Sequence, residues 1–188
     1  MEQERLNLII SFNEKLDNFI EYLKTVSPDK LKGKIYQLEK FKEINKLGPI
    51  QYYAIYVLPY KNQLYSGNVD YFLGSQIINE KTKLPNDNTQ NVNEFMTLEK
   101  IIKEIWNNSN QNDQEECIKH MQILTSSADE YLQNVLKGKN PDYQVIDNLI
   151  SMEIEKNHIN MILSLVMDKE YVKANEYISL MLAMLMQN

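Results

Sequence analysis

Chemistry near neutral pH draws first on histidine and cysteine, and this chain holds two of the first and one of the second. Each has a suggestive neighbour. Glu155-x-x-His158 has the spacing that sets a carboxylate and an imidazole on one helix face, as in di-iron helical bundles. Such a site needs a second motif of the same kind and two further glutamates. The other histidine, His120, follows Cys117 at three residues and not a glutamate, so the set is incomplete. Cys117-x-x-His120 has the spacing of half a ligand set or of a thiol–imidazole pair. Cys117 falls on an apolar helical stripe, however, and a buried, unreactive thiol is the expected state. One cysteine also excludes an intrachain disulfide framework and a multi-thiolate zinc site. There is no phosphate-binding glycine loop, no Gly-x-Ser-x-Gly elbow and no zinc spacing. Tyr52, Tyr53, Tyr56, Tyr60 and Tyr65 have faces on which bases stack, yet stacking platforms come with basic grooves. On this reading the chain has no catalytic, metal-binding or cofactor-binding residue, and it is expected not to be an enzyme.

The charge distribution agrees. The net charge is −6. Ten basic residues stand against eight acidic ones through Ser66, and ten against eighteen from Gly67 onward. An acidic C-terminal two-thirds repels phosphate backbones, which disfavours general nucleic-acid binding. The apolar runs near Ile159–Met167 and Ile178–Met186 are well short of the ~20 residues that span a bilayer. MEQERLNLII has acidic residues where a signal peptide carries basic ones, so no secretion is expected. The sequon at Asn107-Asn108-Ser109 then has no route to glycosylation.

The elements that must carry any site read as helices. Leu6, Ile9, Phe12, Leu16, Phe19, Ile20 and Leu23 recur at threes and fours from Glu4 to Val26. Ser27, Pro28 and Asp29 cap a second helix, with Leu31, Ile35, Leu38, Phe41, Ile44 and Leu47 on one side. Lys30, Lys34, Lys40 and Lys42 form a candidate basic face on the other, a solvated face unless an acidic partner covers it. Gly48 is expected to close that helix in a left-handed conformation and Pro49 to start the next. The segment from Pro49 to Leu58 is apolar on nearly every side and must be buried. Periodicity does not choose between a central helix and a core strand, but the Gly-Pro start and the lack of a partner strand favour helix. Pro59 kinks or ends it, and a further helical stretch runs to a turn at Ser66-Gly67-Asn68.

A polar loop is expected from Ser75 to Asn91. A helix follows from about Val92 to Asn107, and Asp113 then caps a long one to about Lys137. The stripe of that long helix is Cys117, Met121, Leu124, Ala128, Tyr131, Leu132 and Val135, and Gly138 closes it. Beyond it the pattern predicts helices from about Pro141 to Lys156, from His158 to Met167 and from Glu170 to Met186, with a tight turn at Asp168-Lys169. No second copy of this hairpin occurs at a period of ~34 residues, which argues against a repeat array. The expected fold is all-α: a compact bundle of about seven helices with a buried central segment, a helical core at 1–138 and a C-terminal helical extension at 139–188 packed on it.

Several short motifs occur in a characteristic order: Phe19-Ile20-Glu21, the Pro49–Val57 segment, Leu58-Pro59-Tyr60-Lys61, Asp70-Tyr71-Phe72-Leu73, Lys103-Glu104-Ile105-Trp106, and Ile118-Lys119-His120-Met121-Gln122-Ile123-Leu124. In this order the chain resembles a family of small helical proteins of unknown function encoded by nucleocytoplasmic large DNA viruses, the giant viruses of mimivirus and phycodnavirus type. The likeness covers about Phe12 to Leu136. Asn68-Val69-Asp70-Tyr71 departs from the acidic pair and double Phe of that pattern, and Ile118-Lys119-His120 stands where it has Trp-Lys-Tyr. The abundance of Asn, Lys, Ile and Tyr fits AT-rich coding. The resemblance implies a viral origin and a helical fold and supplies no activity.

The expected function is therefore that of a structural, assembly or virion-associated protein acting through protein contacts, in the virion or the host cytoplasm. Its partners would be other virion proteins or itself. The alternative is a soluble regulator that binds a host or viral protein, or weakly a nucleic acid. The last two helices carry more large apolar residues than one inward stripe needs. Ile178, Met181, Leu182, Met184 and Leu185 are the candidate interaction surface.

Overall fold

The computed structural model describes residues 2–31, 43, 45–68, 99–100, 102–152 and 154–186. Among them every regular element is helical: α1 (Glu2–Val26), α2 (Pro28–Leu31), α3 (Gly48–Tyr56), a 3-10 turn (Leu58–Tyr60), α4 (Lys61–Tyr65), a helical stretch at 102–108, α5 (Gln111–Leu136), α6 (Tyr143–Ser151), α7 (Lys156–Met167) and α8 (Tyr171–Leu185). The protein is an all-α bundle, as the periodicity predicts. Most of the expected second helix, the Ser75–Asn91 loop and the start of the helix expected from Val92 lie outside the described residues.

The two long helices, α1 and α5, pack along each other. Glu2 and Glu4 in the first turn of α1 complement the helix dipole, and Phe12, Leu16, Phe19, Ile20 and Leu23 are buried. Leu6, the first member of the expected stripe, is exposed, so the core begins later along the helix. On α5 every member of the expected stripe is buried. That helix starts earlier than expected, because Asn110 and not Asp113 is its N-cap. The Asn110 side chain accepts from the Asp113 N–H at 3.0 Å, and Asp113 occupies the first turn, where the dipole favours a carboxylate.

Between α5 and α7 lies α3. The segment that periodicity left open is helical, with Ile50, Tyr53, Ala54, Ile55, Tyr56, Val57 and Leu58 all buried. Gly48 does not adopt the expected left-handed conformation; it is the first residue of α3, and its N–H is capped by Asn45 Oδ1 at 3.0 Å. Pro59 ends the α-helical geometry as expected, and it has a second effect. Lacking an N–H, it leaves the Ile55 carbonyl, four residues back, without its helical donor. The buried Asn160 of α7 fills the gap. With its amide turned to suit the carbonyls around it, its nitrogen donates to Ile55 O at 3.0 Å and to Lys156 O at 2.9 Å.

The C-terminal section differs from the expected pair of helices at 141–156 and 158–167. Pro141 lies outside α6, whose N-cap is Asp142, bonded to the Val145 N–H at 3.0 Å. The chain leaves the helix at Met152, which is extended, and buries Ile154 before α7 starts at Lys156. Ile146, Leu149, Ile159 and Leu163 belong to the same contiguous core as Phe12, Tyr53 and Leu132. The turn into α8 is the expected Asp168-Lys169. Lys169 takes a left-handed conformation (φ 63°), with Glu170 N–H on Leu165 O at 2.8 Å and Lys169 N–H on Val166 O at 3.0 Å.

Candidate interaction surface

The last helix packs on α7, and the phase of that packing sorts its apolar residues. Ala174, Ile178 and Met181 are buried, and Leu182 is half-buried. Ile178 and Met181 are thus core residues of the folded chain, a correction to the expected surface. The outward residues are Val172, Leu180, Met184 and Met186, with 73, 67, 66 and 88% of their area exposed, together with Leu185 at 47%. Of the five expected surface residues, Met184 and Leu185 are exposed. Leu180 and Met186 are outside the expected set because from Leu180 to Met186 every residue is apolar, and the sequence of that stretch does not say which side meets α7. Other exposed large apolar residues are spread at one or two per element: Leu6 and Ile10 on α1, Tyr65, Ile123, Val145 and Met152. In the candidate basic face, Lys30 falls within α2, and Lys34, Lys40 and Lys42 lie outside the described residues.

A polar node that none of the sequence motifs contains lies between α4, α5 and α6. Lys61 is buried at the start of α4. Its ammonium donates to Asp129 Oδ1 at 3.2 Å, to Tyr143 Oη at 3.2 Å and to Asp147 Oδ1. Tyr143 Oη in turn donates to Asp129 Oδ2 at 2.8 Å. Burial acts to lower the lysine pKa, but the hydrogen bond to Asp147 and the charge of Asp129 outweigh it and hold the ammonium well above its ordinary value. All three N–H groups are engaged. Such a lysine is a structural cation joining three helices, not a nucleophile. One signal is present in the sequence: Lys61 is the sole charge between Gly48 and Tyr65.

The two histidine motifs also resolve into packing. His120 stacks between Phe19 and Tyr22, with ring centroids at 5.3 and 5.2 Å. Burial lowers its pKa, with Glu116 opposing. Cys117 is buried, and burial together with the charges of Asp113 and Glu116 pushes its thiol up to about 11, so it stays protonated. Glu155 lies before the start of α7 and shares no helix face with His158. His158 Nδ1 instead meets Tyr177 Oη at 2.8 Å, linking α7 to α8. Tyr53, one of the aromatic candidates, is buried with its hydroxyl 3.1 Å from Met121 O and 3.0 Å from Thr125 Oγ1. Among the described residues no helix is long and apolar enough to cross a membrane. Comparison of the chain with protein-family models, with curated proteins and with solved structures finds no match.

Proposed function

We propose that this protein works through protein–protein contacts as a non-enzymatic assembly component, and that the outer face of α8 is its contact surface. The observation that carries the reading is the set of large apolar side chains left in water there, Val172, Leu180, Met184 and Met186. Contiguous exposed apolar patches beyond a few hundred Å² are uncommon on monomers and mark interaction sites. The engaged states of Cys117, His120, His158 and Lys61 support it, since each is committed to packing or hydrogen bonding within the fold. The motif resemblance implies a viral origin, and a virion component is the form of this reading that we propose with it.

The test is recovery of tagged protein from cells of its source, comparing the native chain with Leu180→Asp/Met184→Asp. The expected result is a partner recovered in stoichiometric amount with the native chain and at least about tenfold less with the variant, equivalent to ~1.4 kcal/mol or more of lost contact. A stoichiometric partner held equally by both chains would overturn the reading. If the source is viral, protein mass spectrometry of purified particles separates the virion component, present stoichiometrically, from the regulator, absent from them.

A further inference from the structure

Resting on that reading, we infer that the occupant of the α8 face is a second copy of this chain, paired about a two-fold axis through α8. Charge points to this first. The chain carries a net −6, so two copies repel wherever acidic surfaces meet. From Tyr177 to Asn188 there is no charged residue, and a contact made by this part of α8 brings no like charges together. A partner selected by charge would find only Lys173 and Glu176 on the outer face, one of each sign.

Shape points the same way. Val172, Glu176, Leu180 and Met184 follow one another at four-residue spacing, all exposed, and form one ridge. Beside it Ser179 and Ala183, also exposed and four apart, form a shallow row. A two-fold contact uses one patch twice, so the patch must offer both the projection and the recess that receives it. This one does. The Leu180–Met184 ridge of each copy enters the Ser179–Ala183 row of the other, which is ridge-into-groove packing at a crossing angle of roughly −50°.

The area is sufficient. The exposed parts of Ser179, Leu180, Ala183, Met184 and Met186 amount to roughly 500 Å² per protomer, so a pair that covers them withdraws about 1,000 Å², the size at which specific interfaces begin.

Sedimentation equilibrium of the purified chain tests this. Across about 1 to 100 μM, the spread of typical weak to moderate affinities, the mass should rise from one 22.2 kDa chain toward two. Leu180→Asp should weaken association by at least about 100-fold while leaving the circular dichroism unchanged. Ala183→Cys, near the proposed axis, should oxidise to a covalent dimer, whereas Glu130→Cys, on α5, should not; the native Cys117 is buried and does not compete. A chain that stays monomeric throughout, or a dimer that Leu180→Asp leaves intact, overturns the inference. A monomeric chain that still recovers a different protein through Leu180 and Met184 overturns only the self-pairing and leaves the interaction reading standing.

Discussion

The Lys61 node and the outer face of α8 invert the usual arrangement in opposite ways. At the node a charge is buried; on α8 large apolar side chains face water. The lysine ammonium has three partners, Asp129, Asp147 and Tyr143, and they come from two other helices, so the node is accounted for by the fold itself. Removing an ion from water costs several kcal/mol, and only complete pairing offsets it. No described residue of the chain covers Leu180, Met184 and Met186 in the same way. An anomaly satisfied internally reports on stability, and one left unsatisfied reports on what the protein meets.

Adjacent residues of α8 give the sharpest contrast and the largest expected effect. Met181 is buried and Leu180 is two-thirds exposed. Met181→Asp buries an unpaired carboxylate and should destabilise by at least about 3 kcal/mol. At a concentration low enough to keep the chain monomeric, Leu180→Asp should stay within about 0.5 kcal/mol, the usual range for a surface change. Urea midpoints of the two variants decide it. Similar losses at both positions would mean that the outer face is core, and the proposed function would fail with it.

The node should respond less. Lys61→Met strands Asp129 and Asp147 near one another, and because both carboxylates keep some access to water the expected loss is about 2 kcal/mol, below the range for fully buried pairs. Lys61→Met/Asp129→Asn/Asp147→Asn removes the stranded charges and should recover part of that loss. If the triple variant is no more stable than the single one, the stranded carboxylates are not the source of the loss.

A smaller effect is expected from pH. Burial between Phe19 and Tyr22, opposed in part by the Glu116 carboxylate, holds the His120 imidazole below its ordinary value, so the folded chain binds a proton there less readily than the unfolded chain. This contribution to stability is intact above pH ~6.5, the unfolded value, and is lost as pH falls from there through the folded value. Urea midpoints at about pH 7.5 and 5.5, on either side of that value, should fall with acid, and His120→Phe, which keeps an aromatic ring in the stack, should show a smaller fall. Equal falls would remove His120 as the cause.

Much of the architecture was legible from local rules. The stripe from Cys117 to Val135, the turn at Ser66-Gly67-Asn68, the helix end at Gly138 and the turn at Asp168-Lys169 each depend on residues within a few positions of one another. Where two local signals competed, the boundary moved. Asn110 displaced Asp113 as a cap, Asp142 displaced Pro141 as a helix start, and Gly48 opened a helix that it was expected to precede.

What the sequence by itself determined, then, is where most helices lie and that the Pro49–Leu58 segment is buried, because helical periodicity, capping and proline geometry act over one or two turns. Only the tertiary structure decided that Asn160 answers the carbonyl freed by Pro59, that Lys61 meets Asp129 and Asp147, and which side of α8 is covered. These pairings join residues far apart in the chain. Lys173, Glu176 and Ser179 mark the outer side in the first half of α8, but from Leu180 to Met186 every residue is apolar, and there the buried side is set by where α7 lies.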